Sequence, residues 1–231
     1  MKIKDYVNNI CVNAKLSSQE ISCLTEGEKN LILLSLVEEI NLSRNDIKKS
    51  NSKDLDNLKS SNNFNDAFVD RLLINDSRID SMISSIKEII QFKDPVGEIN
   101  SIKEMPSGIK VGKMSMPLGV IAMIYESRPN VTIDASALCI KSGNSIILRG
   151  GSESIFTNIV LAECIKNALL KNNRNVNVVQ LIDNTDRDIV NELLKQNNYI
   201  DIVIPRGGKN LIKLVDDLSS IPVLKHLDGI C

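Results

Sequence analysis

Two polar segments near the middle of the chain each follow an apolar run, and their residue types suit the binding of an anion or of a developing oxyanion. The first segment follows residues 119–125 and reads Glu126, Ser127, Arg128, Pro129, Asn130. The second follows residues 145–148 and reads Arg149, Gly150, Gly151, Ser152. In open α/β sheets, ligands gather at the carboxyl ends of the strands. The two segments therefore predict an enzyme whose ligand lies at one edge of a sheet.

Asn130 and Arg128 are the residues of the first segment that we expect to meet a substrate. An amide donor held by the stiff Pro129 needs little reorganisation when charge develops on a substrate oxygen, so Asn130 is the predicted oxyanion donor. Arg128 could bind a phosphate or a carboxylate through two hydrogen bonds. A structural ion pair with Glu126 explains Arg128 equally well, and both interpretations stay open.

The second segment has a counterpart at residues 205–209, where an arginine and two glycines again follow an apolar run. Glycines allow a ligand to approach the backbone, and free amides beside a cation favour anionic groups. The predicted binding residues are Arg149, Gly150, Gly151 and Ser152 in the first turn and Arg206, Gly207 and Gly208 in the second. The alternative for both is a tight strand-to-helix turn that carries a surface arginine.

The elements that must position these turns follow from the apolar pattern. After residue 117 the chain alternates between short runs rich in Val, Ile and Leu and longer segments of helical periodicity. This alternation predicts parallel strands joined by helical crossovers, with helices on both faces of the sheet. We therefore predict an α/β fold with a Rossmann-type parallel sheet over residues 117–231. The G-x-G-x-x-G fingerprint of ordinary dinucleotide-binding domains is absent.

The first half of the chain reads differently. Residues 1–96 form helical patterns separated by Asn- and Ser-rich turns, with Thr25 and Glu28 spaced as a capping box and Asp76 placed as an N-cap. Residues 97–116 alternate loosely around a Pro-Ser-Gly turn, which predicts an extended β-hairpin. We expect a helical amino-terminal part of the binding domain, a hairpin arm and the α/β domain, in that order.

Composition excludes several classes of protein. A chain of 231 residues with 42% hydrophobic residues and a net charge of −1 is typical of a globular enzyme of one or two domains. The near-neutral charge argues against a nucleic-acid-binding protein, and no segment reaches the roughly 18 apolar residues that span a bilayer. The five cysteines are scattered and lack paired metal spacing, which predicts reduced thiols in a cytoplasmic protein and no metal site.

A family resemblance rests on the blocks YESRPNVT, CIKSGN, ILRGGSE, NTDR, YIDIVIPRGG and KHLDGIC, which occur in this order after residue 117. Together they resemble γ-glutamyl phosphate reductase, the glutamate-5-semialdehyde dehydrogenase family of proline biosynthesis, within the aldehyde dehydrogenase-like superfamily. The resemblance implies the NADPH-dependent reduction of γ-glutamyl phosphate, and a variant of the dinucleotide-binding sheet that lacks the glycine fingerprint. Residues 1–96 match the family only in style.

The resemblance also implies roles for individual residues of the cofactor site. Arg149 and Ser152 would contact the ribose 2′-phosphate of NADPH, with Glu153 in the same loop, although an acid in a first helical turn is favourable by itself. The turn at residues 206–208 would approach the pyrophosphate and the nicotinamide. Asn130 matches the asparagine that holds the oxyanion in this superfamily.

The resemblance further implies what lies around the cofactor site. The hairpin matches an arm used in subunit association, which implies a homo-oligomer. The nucleophilic cysteine of the family belongs to a motif downstream of KHLDGIC, so Cys231 is not the expected nucleophile. The chain is accordingly expected to be the cofactor-binding part of the enzyme, without its catalytic domain and inactive by itself. A non-catalytic nucleotide-binding or assembly module and a related aldehyde or acyl-phosphate dehydrogenase stay open as alternatives.

Overall fold

A computed structural model describes residues 2–59 and 65–225 of the chain. Cys231 and all of the KHLDGIC block except Lys225 lie outside the described residues. The amino-terminal part contains five helices within the described ranges: α1 (Ile3–Ile21), α2 (Glu26–Leu42), α3 (Arg44–Lys59), α4 (Asp66–Leu72) and α5 (Asp76–Gln91). A hairpin of β1 (Ile99–Glu104) and β2 (Lys110–Met114) follows.

Strands and helices alternate after the hairpin, as the apolar pattern predicts. The elements are β3 (Val120–Tyr125), α6 (Asn130–Lys141), β4 (Ser145–Arg149), α7 (Ile155–Lys171), β5 (Val179–Leu181), α8 (Asp188–Leu193), β6 (Ile202–Arg206) and α9 (Lys209–Leu218). The strands form a parallel sheet in the order β5-β4-β3-β6. In its centre, Ile121 of β3 pairs with Ile146 of β4 and with Ile202 of β6. The predicted α/β fold class is confirmed.

Each face of the sheet has its own apolar core, because successive side chains of a strand point to opposite faces. On one face, Val120, Ala122 and Ile124 of β3 share a buried cluster with residues of α1, α8 and α9. On the other face, Ile121 and Tyr125 share a cluster with residues of α2, α5, α6 and α7. The amino-terminal helices therefore cover the same sheet that carries the predicted ligand-binding turns.

Helix ends follow the local sequence, with one correction. The predicted capping box of α2 is present: the Thr25 side chain accepts a hydrogen bond from Glu28 N, and the Glu28 carboxylate accepts one from Thr25 N. The prediction that Asp76 is the N-cap of α5 is wrong, because the cap is Asn75. Asn75 has an extended backbone, and its side chain accepts a hydrogen bond from Arg78 N. Asp76 lies one residue later and pairs with Lys48 instead.

The hairpin is the least buried part of the fold. Its strands pair antiparallel, with Ile99 opposite Met114, and every residue of both strands is exposed. Several exposed residues of the hairpin are apolar, including Ile102 in β1, Val111 in β2 and Ile109 in the turn between them. The extended hairpin predicted from the sequence is therefore present. Among the described residues, neither buried cluster includes an apolar side chain of the hairpin.

Candidate active site

The carboxyl ends of β3, β4 and β6 lie at the same edge of the sheet, because the three strands are parallel neighbours. Their following loops carry the polar segments that the sequence analysis singles out. Glu126 N donates a hydrogen bond to Arg206 O, which links the loop after β3 directly to the turn after β6. The candidate site is built at this edge.

Glu126 is bound to the turn after β6 and forms no ion pair with Arg128. Its carboxylate accepts a hydrogen bond from Gly208 N at 3.0 Å, at the start of α9. The structural ion pair that could have explained Arg128 is therefore not formed. The side chain of Arg128 is exposed, and among the described residues it has no hydrogen-bond or ion-pair partner.

Gly207 leaves room for the Glu126 carboxylate. A Cβ atom added at residue 207 would lie 2.6 Å from the Glu126 carboxyl carbon and 2.8 Å from Leu211 Cδ2. A side chain at this position would displace the carboxylate from the start of α9. The second glycine turn thus has a specific steric cause, which is independent of any ligand.

Arg149 lies inside the protein, and its side chain does not project from the surface as a turn arginine would. It is 9% exposed. One guanidinium nitrogen donates to Gly150 O, and the other terminal nitrogen donates to Thr185 O at 3.1 Å. Its Nε is buried and has no hydrogen-bond partner within the described part of the chain. Burial lowers the pKa of Arg149, and the charge of Glu153 opposes that shift.

A network of hydrogen bonds between buried polar side chains supports the loop after β4. The Tyr125 hydroxyl lies 2.7 Å from Thr132 Oγ1, which donates to Asn158 Oδ1 at 3.0 Å. Asn158 Nδ2 in turn donates to Ser154 Oγ at 3.0 Å. Burial raises the pKa of Tyr125, so the hydroxyl stays protonated and able to donate. Each partner left unsatisfied here would cost about 1–3 kcal/mol of stability.

No sequence pattern indicated this network of hydrogen bonds. Thr132 and Asn158 are separated by 26 residues and lie on different helices, so no spacing rule connects them. The only available signal is the presence of polar residues among apolar ones on the inner faces of α6 and α7. A polar residue at a core position predicts a hydrogen-bond partner without identifying it.

Glu153 joins two of the loops at the candidate site. Its carboxylate accepts a hydrogen bond from Ser127 Oγ at 2.8 Å and from Ser152 Oγ at 3.2 Å. Ser127 is buried in the loop after β3, whereas Ser152 is exposed in the loop after β4. Glu153 thus holds the two loops together, a role that goes beyond that of an acid in the first helical turn.

Two residues of α3 fix the start of α7 and hence the loop that precedes it. The Asp54 carboxylate is buried and accepts hydrogen bonds from Phe156 N at 3.1 Å, from Thr157 N at 2.8 Å and from Thr157 Oγ1. Asn51 Nδ2 donates to Thr157 Oγ1 at 3.2 Å and to Leu72 O at 2.8 Å. The N-cap residue of α7, Ser154, makes no side-chain cap hydrogen bond, and Asp54 caps the helix from a distant part of the sequence instead.

The three loops enclose a cleft of about 570 Å³ together with α4. It is lined by Phe68, Arg71, Glu126, Ser127, Arg128, Val131, Glu153, Arg206, Gly207 and Gly208. Arg71 was not expected from the sequence, since it lies in the amino-terminal helical part. The structure thus brings Arg128, Glu153 and the turn at residues 206–208 together, whereas Arg149 and Gly150 are buried and do not line the cleft.

Asn130, the predicted oxyanion donor, is the first residue of α6 and lines an adjoining cavity of about 250 Å³. Its Nδ2 donates a hydrogen bond to Asp134 Oδ2 at 2.9 Å. A carboxamide nitrogen has two hydrogens, so this contact leaves one of them for a ligand. Arg71 lines both the cavity and the cleft, which are therefore neighbours.

The described cysteines lie away from both spaces. Cys11, Cys139 and Cys164 are buried, and Cys23 is exposed. None of them lines the cleft or the adjoining cavity. Burial raises the pKa of the Cys11 and Cys139 thiols to about 12, which opposes formation of a thiolate.

Among the described residues, no group of three or more His, Cys, Asp or Glu side chains is arranged to hold a metal ion. Along the same residues, no helix is both long and apolar enough to cross a membrane.

Sequence comparison finds γ-glutamyl phosphate reductases that align with nearly the whole chain. No protein-family model matches it. A γ-glutamyl phosphate reductase from Ruthia magnifica is 44% identical over 229 residues, which are 99% of this chain and 54% of that protein. One from Psychrobacter arcticus is 42% identical over 99% of this chain and 53% of its own length. The chain is a homologue of γ-glutamyl phosphate reductases. It spans about half the length of these curated relatives.

Solved structures agree with this assignment. The crystal structure of γ-glutamyl phosphate reductase from Thermotoga maritima superposes with a TM-score of 0.91 at 35% identity, over 95% of this chain and 53% of that one. A probable aldehyde dehydrogenase from Listeria monocytogenes, at 16% identity and a TM-score of 0.74, covers 97% of this chain and 46% of its own. That second likeness shows the fold alone. The resemblance to γ-glutamyl phosphate reductases, and to the aldehyde dehydrogenase-like fold, is thereby confirmed.

Proposed function

We propose that the chain is the NADPH-binding part of an enzyme that reduces γ-glutamyl phosphate to glutamate 5-semialdehyde and phosphate in proline biosynthesis. The names of its relatives, at 42% and 44% identity, support this reaction. The observation that carries the proposal is the cleft at the carboxyl edge of the sheet. Its volume of about 570 Å³ falls within the range of roughly 300–1,000 Å³ that is usual for small-molecule and cofactor sites.

The charges around the cleft suit a phosphorylated ligand. Arg71, Arg128 and Arg206 line it, and none of their side chains has a hydrogen-bond or ion-pair partner among the described residues. The two acids of the lining already accept hydrogen bonds, Glu126 from Gly208 N and Glu153 from Ser127 Oγ. Guanidinium groups bind phosphate through paired hydrogen bonds, so the cleft favours an anion.

For the cofactor, we propose that the loop after β4 binds the adenosine ribose. Arg149 and Ser152 would contact the 2′-phosphate, with Gly150, Gly151 and Glu153 shaping the loop. In the present structure Arg149 turns inward to Gly150 O and Thr185 O, so its contact with the 2′-phosphate requires the side chain to turn outward, whereas Ser152 is already exposed. The turn of Arg206, Gly207 and Gly208 would approach the pyrophosphate and the nicotinamide, where a phosphate oxygen would replace Glu126 on Gly208 N.

When bound, the nicotinamide supplies the hydride, and the residues of this chain position the substrate. Asn130 would donate its free amide hydrogen to the oxyanion, and Arg128 would bind the phosphate of γ-glutamyl phosphate. The acyl-accepting thiol is not provided by the described residues, because none of their cysteines lines the cleft. We therefore propose that the 231-residue chain, assayed alone, binds the cofactor without turnover. The apolar hairpin would associate two copies.

Titration of the chain with NADPH and with NADH tests the cofactor assignment. In Arg149→Ala, NADPH affinity should fall roughly ten- to a hundredfold, because one charge-assisted contact contributes about 1.5–3 kcal/mol. NADH affinity should change little, since NADH lacks the 2′-phosphate. The control is Arg187→Gln, an exposed arginine beside α8, which should leave both affinities unchanged.

Three outcomes would contradict parts of the proposal. An equal loss of affinity for NADPH and NADH in Arg149→Ala would show that Arg149 does not contact the 2′-phosphate. A thermal melt of the variant would show whether the substitution has instead destabilised the loop. Failure of the folded chain to bind either dinucleotide would contradict the cofactor assignment. Turnover of glutamate 5-semialdehyde by the chain alone, abolished by Cys231→Ser, would assign the nucleophile to Cys231.

A further inference from the structure

The smaller cavity beside the cleft contains an unpaired negative group. It lies between α5 and the start of α6, and Asp134 is part of its lining. Asp134 Oδ2 accepts the hydrogen bond from Asn130, whereas Oδ1 is buried and has no partner within the described residues. Burial accordingly raises the pKa of Asp134, against the opposing effects of Asn130 and Arg206. A buried carboxylate oxygen without a donor is costly, and a bound cation would relieve that cost.

Two arginines also line this cavity, and only one of them has hydrogen-bond partners among the described residues. Arg78 donates to Leu73 O at 2.9 Å and to the Asp70 carboxylate at 2.6 Å, so it holds the corner between α4 and α5. Arg71 has no hydrogen-bond or ion-pair partner in the described part of the chain, although it lines the same cavity. Its guanidinium can therefore bind a carboxylate through two hydrogen bonds.

The size of the cavity restricts the ligand to a small one. A volume of about 250 Å³ is below the range of roughly 300–1,000 Å³ for drug-sized ligands. This space suits one small amino acid, and the larger cleft next to it is left for a dinucleotide.

We propose that this cavity binds the head group of an α-amino acid substrate, with the ammonium group on Asp134 and the carboxylate on Arg71. The inference rests on the proposed function, in which Asn130 meets the reacting carbonyl of the substrate. Asp134 lines the cavity and accepts the Asn130 hydrogen bond through one oxygen only, so its carboxylate can attract the ammonium group and still orient the Asn130 amide. Asp134 and Arg71 then select a substrate with a free amino-acid head over an analogue that lacks the amino group.

Binding of L-glutamate and of glutarate to the 231-residue chain tests the assignment, because the two molecules differ only in the ammonium group. The wild-type chain should bind L-glutamate roughly tenfold or more tightly than glutarate, as expected for one charge-assisted contact. Asp134→Asn keeps the shape of the side chain and removes its charge. It should therefore bring the two affinities to within about twofold of each other, in ligand-observed NMR or calorimetry.

A second variant and a control complete the experiment. Arg71→Gln, at an exposed position, should weaken both ligands while the preference for L-glutamate stays, and Arg187→Gln should change nothing. The proposal is overturned if the wild-type chain shows no preference, or if Asp134→Asn retains it. A parallel NADPH titration of the wild-type chain separates the two ideas. If the wild-type chain binds NADPH but does not prefer L-glutamate, only the head-group proposal is contradicted. If it does not bind NADPH, the proposed cofactor function is contradicted.

Discussion

Gly150 shows how tightly the loop after β4 is packed at the level of single residues. A Cβ atom at this position would lie 2.4 Å from Asn158 Nδ2 and 3.0 Å from the Tyr125 hydroxyl. Both atoms belong to buried side chains of the hydrogen-bond network that supports the loop. The backbone at residue 150 therefore lies where only glycine fits, and the space below it is filled by the protein itself.

We expect Gly150→Ala to destabilise the fold by about 1–3 kcal/mol, because the added methyl group would push apart a packed core. For a domain of this size, each kcal/mol corresponds to roughly 2–4 °C in melting temperature. The matched control is Gly27→Ala in the first turn of α2, where a Cβ atom would meet nothing within 4 Å. That change should stabilise the helix by up to about 1 kcal/mol. Equal urea-unfolding curves for the two variants would contradict the packing argument.

At the level of elements, the joint between α3 and α7 holds the candidate site in place. Asp54 caps α7 through Phe156 N and Thr157 N, although it precedes Thr157 by 103 residues. Burial raises the pKa of Asp54, against the opposing effect of the hydrogen bonds from Thr157 and Phe156. The cap is thus both a source of stability and a group whose ionised form is partly disfavoured by its surroundings.

Asp54→Asn should destabilise the fold by about 1–3 kcal/mol, since an amide offers one acceptor oxygen where the carboxylate offers two. The pH dependence has a definite sign. Because the folded pKa is raised above the usual Asp value of about 3.9, the folded state binds the Asp54 proton more tightly than the unfolded state. The stability that this tighter proton binding contributes is fully present below the usual pKa of Asp, and it is lost as the pH rises through the folded pKa of Asp54.

Urea unfolding of both proteins between about pH 4 and pH 7 measures this contribution. The stability difference between wild type and Asp54→Asn should decrease as the pH rises and then level off above the folded pKa. Asp217→Asn, on the exposed side of α9, serves as the control and should give a nearly constant difference. A difference that grows with pH would show that the folded pKa is lowered, contrary to the burial argument.

At the scale of the whole molecule, the apolar hairpin is the feature most out of keeping with an isolated domain. Ile102 in β1, Val111 in β2 and Ile109 in the turn between them are exposed, and none of them belongs to either buried cluster. A two-stranded hairpin is at best marginally stable in water, and contiguous exposed apolar side chains mark interaction surfaces. Another copy of the chain would bury this surface.

We expect the chain to associate through the hairpin, and the double variant Ile102→Ser/Ile109→Ser to be monomeric by light scattering at concentrations where the wild type is at least dimeric. The melting temperature of the monomeric double variant should stay close to that of the wild type, because no residue of the hairpin belongs to either buried cluster. Leu214→Ser, an exposed apolar residue of α9, is the control and should leave the association intact. A wild-type chain that is monomeric at all concentrations would contradict this prediction.

The sequence by itself determined the elements and the edge at which the loops meet. Apolar runs after residue 117 specified parallel strands, because a strand covered by helices on both faces must be apolar on both sides. Parallel strands then place their following loops together, so the segments at Arg128 and Arg206 could be assigned to one edge. The blocks shared with γ-glutamyl phosphate reductases identified the relatives that comparison confirmed.

Only the tertiary structure decided which of these polar groups are engaged and which are free. Glu126 binds Gly208 N, 82 residues away, instead of Arg128, and Arg149 turns inward to Thr185 O. Arg71 of α4 joins the cleft because helices distant in sequence pack over the same sheet. Hydrogen-bond partners are set by three-dimensional closeness and by the exclusion of water, and neither has a local periodicity. Spacing therefore predicts where a polar residue lies along an element and leaves its partner undetermined.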